Sequence, residues 1–229
     1  MAKMVFVMDT RRCIGCQACT IACKTENEVP LGVWRTQIRA KEVGKYPNVR
    51  RQFYLWICAQ CGNCVEASEN NGVGSVYRRN DGIVLFDVEK LKGRTKKQID
   101  TELDAAVESC PIGAFSRDPF TGMANKCTMC AHRVDKGLVP ACAQTCIGRA
   151  RMWGDADDPK SEVSRLLGTE AVRPAPPDDC TEPHVFYIGL DGRQTDRGIL
   201  KGAAAVKTED LVSGNLSQTI NSTVEEAEK

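Results

Sequence analysis

The sequence predicts an α+β fold of short elements gathered around groups of cysteines, and three observations carry that expectation. Residues 13–23 read CIGCQACTIAC, with Cys13, Cys16, Cys19 and Cys23 spaced C-x2-C-x2-C-x3-C. Residues 76–87 read VYRRNDGIVLFD, two apolar-rich runs about an Asp-Gly step that supplies the positive φ of a tight hairpin turn. Residues 89–109 read as a charged loop followed by an amphipathic helix that stops at Cys110-Pro111.

Each element can be justified in chain order. MVFVMD, at Met4–Asp9, is a short apolar strand running into the first cysteines. Residues 20–27 suit a helix with Cys23 near its start. Residues 28–57 mix Pro30, Gly32, Gly44 and Pro47 with Trp34, Tyr46, Phe53, Tyr54 and Trp56, the makeup of loops and short strands packed around a metal site. The hairpin and the loop–helix follow. Residues 155–180 are acidic and proline-rich, ending in PAPPDDC. Beyond Gly198 the polar tail has little periodicity, which predicts a segment disordered or laid over a partner.

Bulk properties narrow the class. A length of 229 residues sets one or two domains. Aromatic residues make up only 6%, beside 19 Gly and 10 Pro, so the apolar core is modest. Metal–thiolate bonds would then replace part of the missing burial and couple folding to metal. MAKMVFVMD leads into the first cysteines with no secretory signal, so a cytoplasmic location is expected, with export alongside a signal-bearing partner as the alternative. Thirteen cysteines there read as reduced metal ligands rather than a disulfide scaffold. A net charge of +1 makes no electrostatic case for nucleic acid. No apolar run nears the roughly 20 residues of a bilayer span, so direct membrane insertion is not expected.

Twelve of the thirteen cysteines form four groups. They are Cys13, Cys16, Cys19 and Cys23; Cys58, Cys61 and Cys64 in CAQCGNC; Cys110 in ESCPIGA; and Cys127, Cys130, Cys142 and Cys146 in CTMCAHRVDKGLVPACAQTC. In bacterial two-cluster ferredoxins, three closely spaced cysteines wrap one cubane and the fourth reaches over to the other cluster. That crossing rule joins Cys13, Cys16 and Cys19 to Cys146, and Cys127, Cys130 and Cys142 to Cys23. It leaves Cys58, Cys61 and Cys64 with Cys110, and Cys180 as a free thiol without a role. Zinc is the competing ligand. It prefers paired C-x2-C hooks parted by a loop, so the crowded first group favours a cubane, whereas spacing alone leaves zinc open for the others.

Other residues have a sharp and a bland reading. His132 would tune a cluster through an N–H to sulfur, or be a satisfied structural histidine. Arg12, Lys24, Lys126 and Arg149 flank ligands, and each would raise a cluster's potential or stand as solvated charge. Trp34, Tyr54 and Trp56 read as core or subunit interface sooner than as an electron relay. No nucleophile–base constellation or phosphate-cradling glycine loop occurs, so no catalytic residue is assigned.

RRCIGCQACTIACKTENEVPLGVWRT, YRRNDGIVLFD, CPIGA and KCTMCAHRVDKGLVPACAQTCIGRARMWGD lie within residues 4–190. Together they resemble the iron–sulfur subunits of molybdenum or tungsten bis-pterin enzymes, the dimethyl sulfoxide reductase superfamily. The resemblance implies two nested ferredoxin-like modules: residues 58–114 inserted between 1–57 and 115–180, then an extended C-terminal arm over 181–229. It implies a non-catalytic electron-transfer subunit. Its partner would be a large catalytic subunit holding a Mo- or W-bis-pterin guanine dinucleotide, in a heterodimer or larger complex, with a soluble electron donor or acceptor as a further partner. The site of Cys13, Cys16, Cys19 and Cys146 would face that subunit, and the site of Cys58, Cys61, Cys64 and Cys110 would end the line.

Family members typically carry four clusters. Here VEASENN puts Ser68, and EKLKGRTKKQ puts Leu91, where further cysteines would stand. The missing ligands belong to one cluster, so three 4Fe-4S clusters are expected. That pattern resembles the small subunit of pyrogallol–phloroglucinol transhydroxylase and resorcinol hydroxylase, which implies phenolic substrates. The first motif and its VPLGVWRT continuation instead resemble polysulfide or thiosulfate reductase subunits. A respiratory reductase of sulfur or arsenic compounds with a membrane anchor is therefore the alternative, and a free-standing polyferredoxin another.

Overall fold

The structure, a computed structural model, describes residues 2–174 and 182–190. Cys180 and the tail beyond Gly198 lie outside the described residues. In chain order the first half comprises β1 (Met4–Asp9), α1 (Ala18–Glu26), β2 (Thr36–Lys45), β3 (Asn48–Ile57), α2 (Asn63–Asn71), β4 (Val76–Arg78), β5 (Val84–Phe86) and α3 (Lys96–Glu108). There follow β6 (Ser116–Arg117), β7 (Ala124–Asn125), α4 (Ala131–Val134), α5 (Ala141–Gln144), β8 (Arg151–Asp155), α6 (Glu162–Thr169), β9 (Val172–Pro174) and β10 (Val185–Ile188). Helices and mostly antiparallel strands are mixed, as expected of an α+β chain.

A four-stranded sheet of order β8-β1-β10-β9 holds both ends of the described chain together. β1 runs antiparallel to β8 and parallel to β10. Alternate side chains of a strand point to opposite faces, and both faces of β1 are covered. Val5 and Val7 pack with Met152, Val163, Leu166 and Ile188 beneath α6. Phe6 and Met8 enter the main core with Ile57, Ile83, Ile112 and Tyr187. That core also contains Cys19, Cys58, Cys61, Cys127 and Cys142, so apolar packing and the cysteine groups share one interior.

Two segments differ from the sequence expectation. Within 28–57, residues 36–57 form a long hairpin, paired from Thr36↔Ile57 out to Lys45↔Asn48, in place of short strands. Tyr54, Leu55, Trp56 and Ile57 are buried at its inner end, while its outer half is solvated, which dilutes the apolar alternation. Gly44 stands near the end of β2, next to the turn: at φ 105° a Cβ would meet the Asn48 carbonyl oxygen at 2.2 Å. In the acidic segment, Val163 and Leu166 bury one face of α6. Residues 185–188, expected in an extended arm, form a strand inside the sheet, where the buried Tyr187 hydroxyl donates to the Leu55 carbonyl (2.7 Å). VFYI is simply too apolar to remain uncovered.

The central segment follows its local signals. Gly82, at φ 89°, closes the β4–β5 turn. Thr95 and Gln98 cap α3 with reciprocal hydrogen bonds. A second core of Cys64, Val76, Val84, Ala106 and Phe115 lies between α2, α3 and this hairpin.

Candidate metal centres

The three cysteine-rich loops share one backbone device. Gly15, Gln60 and Met129 each stand two residues after a cysteine, with left-handed φ of 72°, 57° and 50°. The bend turns an amide back onto the preceding sulfur. Gln60 N–H donates to Cys58 Sγ (3.4 Å), Met129 N–H to Cys127 Sγ (3.3 Å), and Gly15 N–H to Cys13. Left-handed backbone continues at Gln17, Gly62 and Cys130. A second device marks the isolated and closing cysteines: Ala114 N–H donates to Cys110 Sγ and Ala150 N–H to Cys146 Sγ, both at 3.2 Å. A left-handed residue precedes each, Gly113 and Arg149. Non-glycine residues in this region cost about 1–2 kcal/mol each, and amides aimed at sulfur stabilise a thiolate.

Electrostatic neighbours show which thiols lie near one another. Burial raises Cys13, and Cys19 and Cys146 raise it further. Burial, then Cys142 and Cys130, push Cys23 up to about 12. Burial pushes Cys58 up to about 12 and Cys64 to about 11, with Cys110 beside both and Cys61 beside Cys64. Cys127 is raised well above its ordinary value by burial, then by Cys58, Cys23 and Cys142. The fold thus brings Cys13 and Cys19 to Cys146; Cys23 to Cys127, Cys130 and Cys142; and Cys58, Cys61 and Cys64 to Cys110. Cys16 is exposed on the first loop. Cys127 senses Cys58 and Cys142 senses Cys19, so the second group lies between the other two.

The donor set fits iron–sulfur clusters. A small pocket is lined by Cys58, Cys61, Cys64, Cys110, Val84 and Lys126. Lys126 is buried, donates to the carbonyls of Val84 (2.5 Å) and Cys127 (2.8 Å), and counters the effect of burial on Cys58 and Cys64. Among the described residues no three His, Cys, Asp or Glu side chains converge on a single ion. A cubane binds each thiolate at its own iron, so its sulfurs stand further apart than those around one zinc.

The remaining candidates divide. His132 Nε2 pairs with Glu26 Oε1 (2.8 Å) at the surface. Lys24 Nζ donates to the carbonyls of Pro30 (2.8 Å) and Val33 (2.7 Å) and covers the Trp34 ring. Arg12 is exposed and Arg149 pairs with Glu162 at the surface. Tyr54 stacks on Tyr187, and Trp56 donates to the Ile112 carbonyl in the core. Of the four flanking cations, Lys126 alone is fully buried.

Sequence reasoning missed three inward-facing residues. Asn27 Nδ2 lies 3.7 Å from both Cys23 Sγ and Cys130 Sγ. Gln60 joins two loops, donating to the Cys127 carbonyl (2.7 Å) and accepting from Val84 N–H (2.8 Å). Arg151 is buried beside Cys142, Cys19 and Cys146; burial alone would lower its pKa, and the sulfurs outweigh that. No local motif marks any of the three.

Ser68 and Leu91 are both buried. Ser68 Oγ donates to Glu102 Oε1 (2.5 Å) and accepts from Val76 N–H (3.1 Å). Glu102 also accepts from Ser75 Oγ (2.6 Å), Ser75 N–H (2.7 Å) and Val73 N–H (2.8 Å). Leu91 lines the adjoining pocket with Glu102, Arg94 and Lys97.

Residues 6–67 and 49–156 each match a 4Fe-4S dicluster domain. The chain is 36% identical over 195 residues to a subunit of the tetrathionate reductase of Salmonella typhimurium, covering 82% of this chain and 73% of the relative. It is 30% identical over 234 residues to the arsenate respiratory reductase iron–sulfur subunit of a Shewanella species, covering 84% and 99%. With the thiosulfate reductase electron transfer subunit of Salmonella typhi it shares 38% over 175 residues, covering 74% and 84%.

Proposed function

This chain belongs to the electron-transfer iron–sulfur subunits of molybdopterin oxidoreductases, and we propose that it holds three 4Fe-4S clusters for a large catalytic subunit with a Mo- or W-bis-pterin cofactor. The observation that carries the reading is the repeated cradle: three loops turn an amide onto their first cysteine, and two more turn one onto Cys110 and Cys146. The first site takes Cys13, Cys16, Cys19 and Cys146; the second Cys23, Cys127, Cys130 and Cys142; the third Cys58, Cys61, Cys64 and Cys110. When bound, a cubane takes up and releases one electron at a time. This chain's residues hold the thiolates, aim N–H groups at sulfur and keep water from the second and third sites.

Ser68, Leu91 and Glu102 support a count of three. A hydrogen-bonded carboxylate cross-links α2, α3 and the β4 approach at the place where a fourth site's ligands would begin. The first site supports an assignment of faces. Cys16 is exposed there, with Ile14 (61%) and Ile147 (73%) bare beside Cys13 and Cys146. We assign that apolar, half-open face to the catalytic subunit.

For the complex as a whole, the relatives support reduction of a sulfur or arsenic compound, the reading carried as the alternative from sequence. The phenolic reading takes no support from these relatives and rests on the resemblance of the hairpin, the KLKG loop and the isolated Cys110-Pro111 together with the absent fourth site. Iron analysis of this chain, separated anaerobically from the catalytic subunit, tests the count: about twelve irons per copy are expected, three cubanes of four. About sixteen irons, or zinc in their place, would overturn it.

A further inference from the structure

Arg151 opens β8, where its backbone pairs with Met8 of β1 and the preceding Ala150 N–H is tied to Cys146 Sγ. Its side chain is buried, with the residue only 3% exposed. Nη2 donates to Thr36 Oγ1 (2.8 Å), a neutral hydroxyl whose own proton is given to the Trp56 carbonyl (2.7 Å). Nε and Nη1 are buried with no hydrogen-bond partner. A guanidinium buried this way costs several kcal/mol unless anionic groups face it.

The surroundings are sulfur. Arg151 acts on Cys13 of the first group and on Cys142 and, after Arg35, Cys23 of the second, and is itself acted on by Cys142, Cys19 and Cys146. For Cys58 and Cys64 of the third group the neighbouring cation is Lys126. Arg151 therefore stands at the junction of the first two groups. Four thiolates make a bound cluster anionic, by one further unit when reduced, and a buried cation with N–H donors at sulfur favours the reduced form.

We propose that Arg151 is a positioning residue shared by the first and second sites, donating its free N–H groups to sulfur on both sides and raising the potential of those two clusters but not of the third. This rests on the three-cluster reading above, and iron analysis of the unsubstituted complex separates the two. A complex without cubane iron refutes that reading, whereas the following results judge Arg151 alone.

The test is a redox titration of the purified complex followed by electron paramagnetic resonance, for the unsubstituted chain, R151Q and R151K. In R151Q two of the three midpoints should fall and the third stay. R151K, which keeps the charge and loses the planar fork, should recover part of the fall. Because R151Q can fail to retain iron, pulsed measurements on unsubstituted complex labelled with 15N-arginine supply a second readout. Arginine nitrogen coupling is expected at the two reduced clusters and should be lost or weakened in R151K. Midpoints that do not move, three that move together, or no arginine coupling in the unsubstituted complex would each overturn the proposal.

Discussion

Glu102→Ala is the most direct probe of what replaces a metal site in the α2–α3 region. Glu102 is 2% exposed and accepts four hydrogen bonds, three at Oε1 and one at Oε2. Hydrogen bonds to a charged group are worth about 1.5–3 kcal/mol each. Their sum overstates the loss, because the carboxylate is also desolvated and the donors can partly relax. Breaking such a buried charged network by removing one member costs about 3–5 kcal/mol. E102Q keeps the shape but faces the donors with an NH2 at one oxygen, a loss of about 1–3 kcal/mol. Amide hydrogen exchange of α2 and α3 in the intact complex reads these as lower opening free energies. Burial pushes the Glu102 carboxyl up, but the hydrogen bonds from Ser68, Ser75 and the Val73 and Ser75 amides outweigh it and hold it below the usual carboxylate range. Its folded pKa is thus depressed, so its contribution is complete above the unfolded value of about 4.3 and is lost as pH falls through the folded value. E102Q should lack that acid dependence. An E102A complex whose α2 and α3 protection stays within about 0.5 kcal/mol of the unsubstituted one would refute the reasoning.

Other predictions follow from the cysteine groups and their links. Cys146→Ser should perturb the resonance signal of the first site and Cys23→Ser that of the second, although each lies in the other's run; the same signal changing in both would reject the crossed pairing. Gln60→Ala leaves the Cys127 carbonyl and Val84 N–H without their partner. It should lower the free energy for opening β5 amides to exchange by about 1–3 kcal/mol. Burial pushes the Cys23 and Cys58 thiols up to about 12, so binding iron must displace their protons. Iron uptake should therefore strengthen from pH 7 to pH 9, measured by absorbance during anaerobic reconstitution; a flat or falling profile would count against it.

The cysteine runs and the 76–87 turn are legible because their geometry is local: a few residues bring the thiols of Cys58, Cys61 and Cys64 onto one loop, and an Asp-Gly step is enough to turn a hairpin. The Thr95 cap is equally local, with its partner three residues away. Arg151 and Glu102 are opaque in the chain because a buried charge is defined by what surrounds it. Thr36 lies 115 residues from Arg151, and Ser68 lies 34 from Glu102. The same distance hid the strand at Val185–Ile188, whose place depends on β1 beside it.

Sequence by itself determined the family and the set of thiolate donors, since both are carried by short strings of residues that no packing can rearrange. Tertiary structure alone decided which cations turn inward and where a carboxylate network forms. Those outcomes depend on desolvation and on partners supplied from afar, neither of which leaves a pattern in the local order of residues.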